Sequence, residues 1–282
     1  MGLGNGSGRR AATLTADSGD DGAVHVERDG AILRITLNRP QRRNALSHSM
    51  IDTLVATLSV AAYDDSLRAI GITGTGEHFC TGADWVATNA AGNRPRTGDL
   101  VRRIPHTAHR LIELITGIQL PVVASVRGWA VGLGANLALA ADFTIAADTA
   151  TIWEPFLDRG FSPDSGATWL LPRLAGIARA RRMLLLGEKV DGIRAVDWGL
   201  IHDHAPEEEL DARAEELLAR LAAMPTVALG LTKQALAFGQ QAGLSQSLDR
   251  ELSNLELSCR TTDFKEGLAA FRERRDPDFT GR

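Results

Sequence analysis

The chain has 282 residues, 44% of them hydrophobic, and a formal net charge of -4. That is ample apolar material for one or two domains, and the mildly acidic balance excludes a nucleic-acid or membrane-surface role. Cys80 and Cys259 stand far apart and offer neither a disulfide framework nor metal-ligand spacing. No apolar run reaches membrane-spanning length, and the start lacks the hydrophobic segment of a signal peptide, so a cytoplasmic location is expected.

Residues 1–22 are rich in Gly, Ser, Ala and Asp without periodicity, and are expected to be a disordered tail. From Val24 the chain reads as a hairpin with its turn at Asp29-Gly30, and its second strand carries Ile32, Ile35 and Leu37 up to Pro40. A basic loop with Arg42 and Arg43 follows. Ser47 then caps a helix whose apolar residues Met50, Ile51, Leu54, Val55 and Leu58 keep helical spacing. An apolar strand from Ala69 to Thr73 leads to a glycine turn, Phe79-Cys80-Thr81-Gly82-Ala83-Asp84. The stretch between Trp85 and Asp99 has no period and is expected to be a mobile loop bordering a pocket. A helix is predicted from Leu100 to Gly117, with Ile104, Leu111, Ile112 and Ile115 inward.

The segment Val122 to Ala147 organises the chain. It reads as a buried strand (Val122 to Val126), a turn with Gly128, Gly132 and Gly134, a short apolar helix (Ala135 to Ala141) and a second strand (Phe143 to Ala147). Its glycine spacing matches neither the phosphate-loop nor the dinucleotide pattern. Two strand-to-glycine-turn units, each presenting a backbone N–H, instead suggest a two-donor oxyanion hole for a reacting carbonyl. Past Ala147 come short elements, a Pro- and Gly-rich turn up to Gly166, and brief helices at Ala167 to Leu171 and Ala178 to Leu186. From Pro206 the chain reads as helical, with Leu210, Leu217, Leu218 and Leu221 on one face. His106 and His109 lack further ligands, so no metal site is expected.

The strings FCTGADW, VRGWAVGLGANLALAADFTIAA and DRGFSPDSGATWLLPRLAG resemble the crotonase, or enoyl-CoA hydratase/isomerase, superfamily, and the likeness runs from about Val24 to Arg282. The resemblance implies an α/β crotonase-like fold of repeated ββα units, with two near-perpendicular sheets and a helical C-terminal part. It divides the chain into a core at 23–205 and helices at 206–282 that assemble a homotrimer or a dimer of trimers. The substrate it implies is a coenzyme A thioester, with no permanently bound cofactor. The N–H groups of Ala83 and Leu133 would then hold the thioester oxygen, and Leu133 stands where many relatives have glycine. Arg43 would meet the coenzyme A phosphates, with Ala45, Ala83 and Asp84 beside the cofactor and Phe264 and Lys265 reaching it from a neighbouring subunit. Read as residues alone, Arg42 and Arg43 also fit a solvated loop, Asp84 a residue that holds its turn, and Phe264 and Lys265 ordinary helix packing.

Hydration of an enoyl thioester needs water activated by acidic groups, for which hydratases of this family use two glutamates. At the corresponding positions this chain has Asn136 and Phe156, while Glu154 lies just before Pro155, out of register. One carboxylate falls in the expected zone: Asp164, as in the isomerase branches, closest to the ring-1,2-epoxyphenylacetyl-CoA isomerases. A single carboxylate suffices to take and return a proton, so isomerisation is favoured. Trp129, Phe156, Phe161 and Trp169 are expected to line the pocket. The other use of Asp164 is to cap the helix that starts near Ser165. A weak hydratase relying on Glu154 or on a water, and an acyl-CoA binder without catalysis, remain as alternatives.

Overall fold

The computed structural model describes residues 23–84 and 97–282. The expected N-terminal tail, and residues 85–96 of the expected mobile loop, lie outside them. Strands β1 (Ala23–Asp29) and β2 (Ile32–Asn38) form the expected antiparallel hairpin. Helix α1 (His48–Ala61) is capped by Ser47, whose Oγ accepts the Met50 N–H at 3.3 Å. After β3 (Ala69–Gly74) come α2 (Asp99–Arg103) and α3 (Ala108–Gly117). These two replace the single helix expected from Leu100, because Pro105 lacks an N–H and its ring crowds the preceding turn, leaving a 3₁₀ turn at Ile104–His106.

The next stretch carries β4 (Val122–Val126), β5 (Trp129–Val131), α4 (Leu133–Leu139), β6 (Phe143–Ala147), β7 (Thr151–Trp153) and α5 (Ala167–Ala175). It is a twice-repeated ββα unit. The first strand of each pair joins a six-stranded sheet of order β1-β2-β3-β4-β6 that the strand at Asp203–Ala205 closes, and the second joins a three-stranded sheet, β5-β7 followed by the strand at Val190–Asp191. Helix α6 (Ile177–Leu186), strand β8 (Val190–Asp191), helix α7 (Gly192–Asp197) and strand β9 (Asp203–Ala205) complete the sheets. Sequence reading found neither β5 nor β9. Three residues carry too little periodicity to signal a strand, and both are fixed by their partners: β5 by β7 and β9 by β6.

All strands of the large sheet beyond β1 run parallel. Parallel strands are covered on both faces, which explains why every residue of β4 is buried. Part of that cover comes from α8 (Leu210–Ala222), whose Leu218 and Leu221 pack against Ala69 and Val123. Helices α9 (Thr226–Gly239), α10 (Leu244–Ser258) and α11 (Thr262–Glu273) follow, close to the bounds that the sequence predicts at Thr226 to Phe238, Leu244 to Leu257 and Thr261 to Arg272. No residue of α10 is buried in the single chain, and Leu244, Leu248, Leu252 and Leu255 are all exposed. No single described helix is long and apolar enough to cross a membrane.

Candidate active site

The two glycine turns interlock. Cys80 N–H donates to Trp129 O at 2.9 Å and Val131 N–H donates back to Cys80 O at 3.0 Å, which joins the first turn to β5. Such close approach requires glycine on both sides. A Cβ at Gly82 would stand 2.7 Å from Val131 O, and one at Gly134 would stand 2.4 Å from Cys80 O.

This packing decides where the two expected donors point. Gly82 O accepts the Leu46 N–H at 2.8 Å, and Asp84 N–H donates to Leu46 O at 3.0 Å. Because a trans peptide sets its N–H opposite its C=O, the Ala83 N–H faces away from Leu46. Gly132 O accepts the Asn136 N–H within the first turn of α4, so by the same reasoning the Leu133 N–H leaves the helix end outward. Neither N–H has an acceptor among the described residues. Gly132, just before the helix, takes the positive φ, +53°, and Leu133 does not, so Leu133 has an ordinary helical backbone and the leucine is no obstacle to the turn.

Both N–H groups belong to residues lining one cavity of about 350 Å³, whose apolar walls include Leu46, Ile51, Phe156 and Phe161. Phe156 and Phe161 meet edge to face at 5.5 Å between ring centroids. Trp129 and Trp169, also expected there, are elsewhere. Trp129 packs against Trp153 with Lys189 over both rings, and Trp169 is 38% exposed beneath the Arg173 guanidinium. Trp129 stands at the start of β5, packed on Trp153, and helical position turns Trp169 outward.

Asp164 lines the same cavity as the residues of the two turns. Its carboxylate does not cap the next helix: Gly166 holds the cap position of α5, with no side-chain cap bond. Instead Asp164 Oδ1 accepts from Ser165 Oγ at 2.7 Å. Ser165 has φ +54° and Gly166 φ +86°, so Asp164 stands immediately before two left-handed residues, the first strained for a non-glycine. Asn136 is fully buried on α4, and its Nδ2 makes a long contact of 3.5 Å with Asp164 O. Glu154 is also fully buried and does not line the cavity.

The cofactor residues expected from the resemblance divide into two groups. Arg43 and Ala45 lie on the loop tied to the first turn, since Arg43 O accepts the Thr81 N–H at 3.1 Å and Ala45 O accepts from Arg39 Nη1 at 3.1 Å. The Arg43 side chain is exposed and lies outside the cavity. Asp84 lines the cavity but directs Oδ2 to Arg39 Nη1 at 2.7 Å in a pair that is almost wholly buried. Sequence reading missed Asn44. It is buried at φ +54°, its Oδ1 accepting the Arg39 N–H at 2.7 Å and its Nδ2 donating to Thr75 O and His78 O. The available signal was asparagine's tolerance of left-handed backbone in a polar loop. Phe264 and Lys265 are exposed on α11, and no residue of that helix lines the cavity.

An oxyanion-type donor pair above an apolar cavity, built on repeated ββα units, defines the class of protein. The enoyl-CoA hydratase/isomerase family matches residues 27–282, and the chain belongs to it. It is 38% identical over 258 residues to the 1,2-epoxyphenylacetyl-CoA isomerase of Escherichia coli, covering 92% of this chain and 97% of that one. It is 34% identical over 257 residues to the 2,3-dehydroadipyl-CoA hydratase of the same organism, covering 91% and 98%. The crystal structure of an enoyl-CoA hydratase from Bacillus anthracis superposes with a TM-score of 0.86 at 31% identity, covering 92% of this chain and 99% of that one. Isomerases and hydratases are thus both among its relatives.

Proposed function

We propose that the protein is an acyl-CoA isomerase that moves a double bond, or opens an epoxide, next to a thioester. One observation carries the reading: Asp164 lines the same cavity as Ala83 and Leu133, the other carboxylates there, Asp84 and Asp99, being paired with Arg39 and Arg102, while Asn136 and Phe156 stand at the positions where the family resemblance places a hydratase's two glutamates. With a 3-enoyl thioester, Asp164 takes a proton from C2 and the C–H electron pair moves into the thioester, leaving an enolate oxygen. The two N–H groups hold that oxygen, each contributing about 3 kcal/mol to the barrier reduction by comparison with other oxyanion holes. Asp164 then returns the proton to C4, the double bond lies between C2 and C3, and the enzyme is unchanged. No water is consumed.

Coenzyme A would lie along the loop of Arg43 and Ala45, where an arginine fork suits phosphate oxygens. Asp84 supports this arrangement through Arg39. Phe264 and Lys265 would serve the cofactor of a neighbouring copy in a trimer, and the exposed apolar face of α10 supports such assembly. The test is separate incubation with 3-enoyl-CoA and 2-enoyl-CoA, followed by conjugated absorbance and by product mass. A product of unchanged mass from the 3-enoyl substrate supports isomerisation. Mass gain by one water at a comparable rate from crotonyl-CoA overturns it in favour of hydration.

A further inference from the structure

Glu154 is a fully buried carboxyl with both oxygens unpartnered among the described residues. Buried acceptors without donors are costly and call for an explanation in this fold. The backbone explains how the side chain arrives there. Along β7 the inward positions alternate, so Ile152 and Glu154 face the interior while Trp153 turns outward and spends its Nε1–H on Gly187 O. Gly132 N–H donates to Trp153 O at 2.9 Å, which sets Glu154 beside the start of α4.

A second orphan lies on that helix. Asn136 Oδ1 is buried without a donor, while its Nδ2 faces Asp164 O. Turning the amide over would set two acceptors, Oδ1 and the Asp164 carbonyl, against each other. An ionised Glu154 offers only acceptors and cannot serve Asn136 Oδ1. A protonated one carries the donor that is missing.

We propose that Glu154 carries a proton that closes a hydrogen-bonded chain from its own O–H to Asn136 Oδ1, and from Asn136 Nδ2 to the Asp164 turn. Glu154 is then a positioning residue: it does not line the cavity, and it acts on substrate only through Asn136 and Asp164. The electrostatics agree. Burial in an apolar interior pushes the Glu154 carboxyl well above the usual glutamate range, and the nearby Asp164 charge pushes it further up. Of the elements around it, β5 and α4 carry no ionisable side chain; β8 and α7 carry Asp191 and Asp197, which are exposed, and Arg194, which is paired with Glu188, while Asp158, Arg159 and Lys189 are exposed, so Asp164 is the charged group it faces. During turnover Glu154 keeps its proton, and only Asp164 exchanges one with the substrate. This rests on Asp164 being the base.

The test compares the wild type with Glu154→Gln, which supplies an N–H donor of the same shape at every pH, and with Glu154→Leu, which supplies none. A difference infrared spectrum of the unliganded protein, wild type minus the Gln variant, should show a protonated-carboxyl C=O band at neutral pH that disappears on alkaline titration. A group whose folded-state value is raised gives stability that is complete below its unfolded value and lost as pH rises through the folded one. The wild-type Tm should therefore fall relative to Glu154→Gln as pH climbs from the ordinary glutamate range. In the double-bond shift, Glu154→Gln should keep its rate on the alkaline side where the wild type declines, and Glu154→Leu should lose about tenfold in kcat, the equivalent of one hydrogen bond. An ionised-carboxylate band at neutral pH, or an alkaline decline unchanged in the Gln variant, overturns the proposal. The infrared and thermal readouts need no turnover, so they separate this failure from a failure of Asp164 as base.

Discussion

The cavity has two walls built on opposite principles. The turns at Phe79–Asp84 and Gly128–Asn136 present backbone N–H groups, so Ala and Leu serve there as well as glycine, but a Cβ at Gly82 or Gly134 meets backbone at 2.7 or 2.4 Å. The wall from Pro155 to Ser165 presents side chains on irregular backbone, including Ser165 at φ +54°. Holding a charge needs only a fixed dipole, which any residue's amide supplies. Moving a proton needs a titratable atom, which only particular side chains supply. The first wall should therefore be sensitive to shape and the second to chemistry.

The largest effect expected from that contrast is at Asp164. Asp164→Asn should lower the double-bond shift by about 10² to 10⁴ while Tm and the affinity for a saturated acyl-CoA stay close to wild type. Retention of most of the rate would move the base elsewhere. On the backbone wall, Gly134→Ala should cost about 3 kcal/mol of stability by denaturant titration, because the methyl would overlap Cys80 O and no flexible side chain can yield. A variant as stable as the wild type would show that the turns do not interlock as described.

Smaller effects sharpen the same division. Ser165→Ala removes the hydroxyl that donates to Asp164 Oδ1 and should change kcat/KM by about tenfold, since a hydrogen bond to a charged group contributes about 1.5 kcal/mol. Leu133→Met should be milder still. Its volume is conserved and only its N–H is used, so stability should fall by less than about 1.5 kcal/mol and the rate should stay near that of the wild type. A rate loss at Leu133→Met matching that at Asp164→Asn would mean that the side chain, not the amide, does the work.

Much of this protein was determined by local sequence. The hairpin at Asp29-Gly30, the Ser47 cap, the glycine turns and the C-terminal helices each follow from a signal contained within a few residues, and Asp164 was legible as a candidate base because Asn136 and Phe156 stand where the family resemblance places the two glutamates. Even the break at Pro105 was written in the chain, and the apolar spacing around it hid the proline's effect. What only the tertiary structure decided involves partners distant in sequence. The strands Trp129–Val131 and Asp203–Ala205 exist because β7 and β6 offer unpaired edges. Trp129 leaves the cavity because it packs on Trp153 across the β5–β7 pair, Trp169 because of helix phase, and Glu154 enters the interior because the pairing of β7 with β5 fixes which face it shares with Ile152. A side chain's direction depends on register, and register is set by hydrogen bonds between segments that no local pattern connects.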